Sequence, residues 1–267
     1  QWQAALSLVV FLRVAQLQAN LVSFNAGISS CEKAGLWRSA SCLLGMLAVW
    51  KVRADTVSCN ALTSACEKAA DWPVALETLT GMRSHQIPRT NITYGAAVSS
   101  CEKSDQWCWA AELLIAALEE RLQPHLQLCN SLLSAFGKGK QWRPSLAFVN
   151  RISRFVLHPD TITFNATLFA FDKRDWLLSL SVFDLMTTHN TKRNDITYNA
   201  VAEALKGQWL EALQFVKNMC CAQLAEDALT QTAIVSACIT AQEGKMALSV
   251  LRQTAASWLA RVRAEKK

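Results

Sequence analysis

Two polar residue types recur in this chain at positions that no packing argument requires. Asparagine stands at Asn25, Asn60, Asn130, Asn165 and Asn199, with Gly95 and Thr232 at the same phase elsewhere. Lysine follows eight residues later at Lys33, Lys68, Lys103, Lys138 and Lys173, with Lys206 slightly out of phase. Each row has an ordinary explanation. An asparagine near a helix start can bond local backbone, and a row of lysines can be a solvated face. Taken together they say more. Eight residues are about two helical turns, so amide and ammonium lie close to one face of the same helix. Evenly spaced cations suit a phosphate backbone, and separate amides can each hydrogen-bond one base. Val22, Val57, Ile92, Ile162, Ile196 and Leu229 precede the amide phase by three residues and could supply apolar surfaces against base faces. This is the pattern of a reader of single strands.

Other chemistry is thin. Cys31, Cys66 and Cys101 share one phase with Phe136, Phe171, Leu205 and Cys238, and a site that exchanges Cys for Phe and Leu is an apolar packing site. No C-x-x-C pair or Cys/His cluster has zinc spacing, so the ten cysteines are expected to be reduced and structural, with no metal and no cofactor. His85, His125, His158 and His189 all fall near connections. Glu32, Glu67 and Glu102 recur once per unit inside Cys-Glu-Lys, a distribution that does not converge on one acid-base site. With no G-x-S-x-G, H-E-x-x-H, phosphate-loop or dinucleotide signature, the reading is of a non-enzyme.

The elements that must carry these rows are set by tryptophan. Trp2, Trp37, Trp72, Trp107, Trp142, Trp176 and Trp209 are spaced by 35 residues four times, then by 34 and 33. Such spacing marks a repeat array. The units are a half unit at 1–20, then 21–55, 56–90, 91–125, 126–160, 161–194, 195–227 and 228–262, with a tail at 263–267. They form one all-α solenoid, in which stacking brings the first helices side by side. In the unit 56–90, Ser58 reads as the N-cap of a helix from Cys59 to about Ala69. Trp72, Ala75, Leu76, Leu79 and Met82 then mark a second amphipathic helix. Hydroxyls recur at Ser23, Ser58, Thr93, Thr163, Thr197 and Thr230. Small residues follow each tryptophan by three, at Ala5, Ala40, Ala75, Ala110, Ser145, Ser179 and Ala212, which lets two helices approach closely.

Composition agrees. Hydrophobic residues make up 51% of the chain, against 18% charged, which supports a packed core. Only 9 glycines and 5 prolines punctuate it, as an all-helical chain requires. The formal charge of +6 favours an acidic partner modestly. The apolar run Leu6 to Leu12 is shorter than the roughly 20 residues that span a bilayer, so no membrane partner is expected. The sequence begins at Gln1 with Trp2 already in phase, and the expectation is of a piece of a longer protein.

The chain resembles the pentatricopeptide repeat family. Val-Ser-Phe-Asn at 22–25, Ile-Thr-Tyr-Gly at 92–95, Ile-Thr-Phe-Asn at 162–165 and Ile-Thr-Tyr-Asn at 196–199 are similar to that family's unit opening. Lys-Ala-Gly at 33–35 and Pro-Asp at 159–160 match its hinge and unit end. Tetratricopeptide repeats have a different signature and match less well. The resemblance implies a right-handed α-α superhelix that binds single-stranded RNA at about one nucleotide per unit, in a chloroplast or mitochondrion, the chloroplast slightly favoured. It also implies that the first-helix residue and the last residue of the same unit set specificity. Carried over, Asn25 pairs with Asp55, Asn130 with Asp160 and Asn199 with Asp227, each a uracil-type combination. Asn165 with Asn194 resembles a pyrimidine combination, Asn60 with Thr90 is irregular, and Gly95 with His125 matches none. The implied ligand is pyrimidine-rich RNA handled in processing, stability or translation. Two other readings stay open: a solenoid whose concave face binds a protein partner, and the binding part of a longer RNA-processing enzyme.

Overall fold

The computed structural model describes residues 21–215 apart from 153, 154, 156, 206, 207, 209, 210 and 213, and of Lys173 the backbone alone. The expectations for 1–20, Lys206, Trp209 and all positions from 216 on, including Asp227, Leu229, Thr230 and Thr232, lie outside the described residues. All regular structure among the described residues is helical. The elements are α1 (Leu21–Lys33), α2 (Trp37–Val49), α3 (Thr56–Ala69), α4 (Trp72–Ser84), α5 (Asn91–Lys103), α6 (Trp107–Glu119) and α7 (Leu126–Lys138). They continue as α8 (Trp142–Ile152), α9 (Thr161–Leu168), a 3-10 turn (Lys173–Asp175), α10 (Trp176–Thr188) and α11 (Asp195–Ala204). The chain divides into two compact units: residues up to Gly139 with 154–157, and Lys140–Ser153 with the residues from His158 on.

In the first unit, α1, α3, α5 and α7 pack side by side in sequence order, and α1, α3 and α5 each pack on their own second helix, α2, α4 or α6. In the second unit, α9 packs on α8, α10 and α11. Hairpins close because the chain turns through the left-handed region at a fixed phase. Gly35 (φ 67°), Ala70 (φ 56°), Asp105 (φ 57°) and Lys140 (φ 53°) follow first helices. Lys51, Gln86, Arg121 and Asn190 follow second helices in the same conformation. A left-handed residue returns its N–H to the last helical carbonyls, as Ala70 does to those of Cys66 and Glu67.

The core positions are those the repeat phase marks. The small residues Ala40, Ala75, Ala110, Ser145 and Ser179 are fully buried. Seven residues further on, Leu47, Met82, Ala117, Ile152 and Met186 are buried too. So are Cys31, Cys66, Cys101, Phe136 and Phe171 at their common phase. Burial pushes the Cys66 thiol up to about 12 and that of Cys101 to about 11, so both stay protonated and unreactive.

Two sequence expectations change. Trp37, Trp72, Trp107, Trp142 and Trp176 do open the second helices, but their indoles are only half-buried, so Trp72 lies at the edge of the apolar stripe whose Ala75, Leu79 and Met82 are buried. Trp72 stacks on Trp109 at 5.9 Å, and Trp107 lies so close over Gly139 that an added Cβ would meet its Cδ1 at 2.6 Å. The deepest large side chains stand one residue before the amide phase, at Phe24, Tyr94 and Phe164, with Tyr198 close behind. The second change concerns the caps. Ser58 is not the N-cap: α3 begins at Thr56, its N-cap is Asp55, and the Asp55 carboxylate accepts the Ser58 N–H. Thr90, Asp160 and Asn194 cap α5, α9 and α11 in the same way, with Thr93, Thr163 and Thr197 returning the bond as capping boxes. The last residue of a unit is therefore the first anchor of the next at Asp55, Thr90, Asp160 and Asn194, whereas His125 stands at the same position ahead of α7 without a side-chain cap bond.

Candidate nucleic-acid interface

The exposed residues at the start of the first helices are the aliphatic row. Val22 is 72% exposed, and Val57, Ile92, Ile162 and Ile196 are each at least 51% exposed. Single exposed aliphatics are ordinary, but five at one phase form a pattern. Gln127 is exposed at the same phase and breaks the row.

Beside this row lies a repeated polar clamp. In the first compact unit, Asn25 Nδ2 donates to both Asp55 carboxylate oxygens at 3.3 Å, while Ser58 Oγ lies 2.5 Å from Asn25 Oδ1. Asn60 Nδ2 donates to Thr90 Oγ1 at 3.5 Å, and Thr93 Oγ1 donates to Asn60 Oδ1 at 2.5 Å. In the second compact unit, Asn165 Nδ2 donates to Asn194 Oδ1 at 3.1 Å, and Thr197 Oγ1 donates to Asn165 Oδ1 at 2.6 Å. Residues 29 or 30 apart in sequence thus touch because the second is the N-cap of the neighbouring first helix. Gly95 and His125 share the arrangement without an amide: a Cβ on Gly95 would lie 3.6 Å from His125 Cε1. Asn130 and Asp160 belong to different compact units, and the partner expected for Asn199, Asp227, is outside the described residues.

Electrostatics support the clamp at Asp55. Burial pushes its carboxyl up, but the Ser58 N–H and hydroxyl and the Asn25 amide outweigh that and hold it below its ordinary value. A carboxyl whose pKa is lower folded than unfolded contributes stability above the unfolded pKa, and loses it as pH falls through the folded one. Asp55→Asn keeps the capping acceptor and removes the titration. The wild-type chain should therefore lose more thermal stability than Asp55→Asn between pH 7 and about 3, a window that starts near the ordinary aspartate pKa of about 3.9. Equal losses would show that Asp55 contributes no pH-linked stability.

The lysine row is engaged differently from the expectation of open cations. Lys68 Nζ donates to the Glu32 carbonyl at 3.0 Å and lies 3.5 Å from the Glu32 carboxylate. Lys103 repeats this on Glu67 at 3.1 and 3.2 Å, and Lys138 on Glu102 at 3.0 and 3.3 Å. Cys-Glu-Lys is thus an inter-unit staple: buried thiol, glutamate acceptor for the next unit, lysine donor to the previous one. Lys33 is exposed at the end of α1. Lys173 leaves the row, because α9 stops at Leu168 and the chain enters a 3-10 turn before it reaches that phase. A cation the sequence did not single out, Lys140, bonds the Phe169 carbonyl at 2.8 Å and lies 3.8 Å from Asp172.

Among the described residues no three His, Cys, Asp or Glu side chains are grouped to hold a metal, and no helix is long and apolar enough to cross a membrane. No family model and no curated protein matches the sequence. Solved structures do. The pentatricopeptide repeat protein PPR10 from maize matches over 96% of this chain and 41% of its own, with 16% identity and a TM-score of 0.58. A structure of PPR10 in complex with an 18-nt psaJ RNA element matches with a TM-score of 0.54. The PPR domain of Arabidopsis thaliana protein-only RNase P 1, in complex with tRNA, is covered completely by 70% of this chain, with 13% identity and a TM-score of 0.61. The chain has the all-helical pentatricopeptide-repeat fold, and it spans less than half the length of the PPR10 chains.

Proposed function

We propose that this chain is a sequence-specific single-stranded RNA-binding module of the pentatricopeptide type. One observation carries the reading: an exposed β-branched residue stands at the head of a first helix whose next turn holds an amide clamped to the unit's last residue. The aliphatic side chain offers a surface to a base face, and the clamped amide offers a donor and an acceptor to a base edge. A protein-recognition groove gives no reason to repeat both at one phase. The structural neighbours bound to RNA support the reading, and the match to an RNase P domain favours a role as the binding part of a longer RNA-processing enzyme as the second one. An organellar setting rests on the family resemblance; the fold also occurs in a nuclear RNase P. The proposed ligand is pyrimidine-rich. Fluorescence anisotropy with labelled single-stranded RNA, the matching duplex and single-stranded DNA tests this. Binding to single-stranded RNA should exceed duplex binding at least tenfold and weaken as salt rises. Equal binding to duplex, or none to any strand, overturns it.

A further inference from the structure

Capping boxes ordinarily place Glu or Gln at the third helical position. Here that position holds a hydroxyl in α3, α5, α9 and α11, at Ser58, Thr93, Thr163 and Thr197. The proton inventory around Thr197 shows what a hydroxyl does that a carboxylate cannot. Thr197 Oγ1 accepts the Asn194 N–H at 3.2 Å. Its single proton has two acceptors in reach, Asn165 Oδ1 at 2.6 Å and Asn194 Oδ1 at 2.8 Å. Asn194 Oδ1 already accepts the Thr197 N–H at 3.0 Å and an Asn165 amide N–H at 3.1 Å, which occupies both its lone pairs. The hydroxyl proton therefore goes to Asn165 Oδ1. The Thr197 backbone N–H fixes which end of Asn194 is oxygen, that fixes which end of Asn165 is nitrogen, and the hydroxyl locks the other end. The first compact unit repeats the device with an aspartate: Asp55 Oδ1 takes the Ser58 N–H at 2.8 Å, and Ser58 Oγ sits 2.5 Å from Asn25 Oδ1. Thr93 and Asn60 repeat it again.

We propose that Ser58, Thr93 and Thr197 are positioning residues for base recognition by the preceding unit, each holding an asparagine carboxamide in one orientation. The inference rests on the RNA-binding reading. A carboxamide carries two N–H donors and two acceptor lone pairs. The clamp consumes one of each and leaves one N–H and one lone pair side by side. That edge complements the adjacent N–H donor and carbonyl acceptor of uracil. A glutamate at the hydroxyl's position has no proton to give Oδ1, so the oxygen end of the amide would lose its bond and the orientation would be held by the nitrogen end alone. Specificity at one nucleotide thus depends on a residue of the next unit that does not itself face the base.

The test compares Thr197→Val and Thr197→Ser with the wild-type chain on single-stranded RNA oligonucleotides varied one nucleotide at a time. Asn165→Ala first identifies the nucleotide this unit reads. Thr197→Val should reduce discrimination at that nucleotide at least threefold. Preferences at the other nucleotides and the salt dependence should stay unchanged, and Thr197→Ser should restore the wild-type ratio. Intact discrimination in Thr197→Val, with affinity lowered equally for every base, would make the hydroxyl a helix cap only and overturn the proposal. Nuclear magnetic resonance of the ligand-free chain keeps the inference testable on its own. The Asn165 side-chain N–H pair should be protected from exchange in the wild type and in Thr197→Ser, and at least tenfold less protected in Thr197→Val. Unchanged protection contradicts the positioning role. A wild-type chain that shows the protection but binds no RNA contradicts the RNA-binding reading instead.

Discussion

Tyr94→Ala should cost about 3–5 kcal/mol of unfolding free energy, the range for removing a large buried aromatic side chain. Tyr94 is 1% exposed in the first turn of α5, which packs against α3, α6 and α7, and its ring lies beside the Arg89 guanidinium. Its hydroxyl has no hydrogen-bond partner among the described residues. Tyr94→Phe should accordingly be neutral or stabilising, since it removes a buried unsatisfied group without opening a cavity. Trp72→Ala should cost less than Tyr94→Ala, because the indole is only half-buried. Urea titration measures all three. In a repeat array coupling runs between neighbours, so hydrogen exchange in Tyr94→Ala should accelerate first in α3, α5 and α7. Uniform acceleration through every described helix would contradict a linear array.

The lysine staple has the second large expected effect, on binding. Changing Lys68, Lys103 and Lys138 together to alanine should weaken single-stranded RNA binding on the order of tenfold or more, alike for all sequences. The salt slope should flatten by about two units for three lost phosphate contacts. The same change breaks three ion pairs that are about two-fifths exposed on the lysine side. Pairs of that kind contribute about 0–1 kcal/mol each, so most of the fold should survive. The glutamates supply the informative counterpart. Each lysine spends donors on a carbonyl and a carboxylate of the preceding unit, and a phosphate must compete with that carboxylate. Glu32→Gln, Glu67→Gln and Glu102→Gln together should therefore tighten RNA binding and steepen the salt slope. If the glutamine variant binds as the wild type does and the alanine variant does too, the row is a structural staple with no share in RNA contact.

Much of this was legible in the sequence, for a physical reason. In an array, each buried position recurs at the period, so Ala40, Ala75 and Ala110 declare themselves by being small in register. Val22, Val57 and Ile92 declare themselves by being apolar where nothing packs. The pairing of Asn25 with Asp55 was reachable only through family resemblance, because residues 30 apart meet solely when one unit's end becomes the next unit's cap. Two features were hidden. Ser58 and Thr93 recurred visibly, but periodicity does not distinguish an N-cap from the third residue of a helix. Glu67 and Lys103 each recurred as well, yet only stacking shows that they are partners across units. The departure of Lys173 was foreshadowed by a unit one residue shorter than the one before it, though the spacing alone did not show that α9 ends at Leu168.

The most direct test of the account is a panel of single-stranded RNA oligonucleotides varied at one nucleotide, bound to the wild-type chain and to Asn25→Thr. Asn25 and Asp55 sit together in one compact unit, so the comparison isolates one clamp. The wild type should prefer uracil at one position of the panel, and Asn25→Thr should move the preference at that position toward guanine, as the family pattern implies. The expected shift is about tenfold, within the roughly 1–3 kcal/mol of a matched base contact. Preferences at all other positions should stay as they were. An Asn25→Thr chain that binds every oligonucleotide more weakly by one common factor, with no change in base preference anywhere, would make the asparagine row structural and contradict the account.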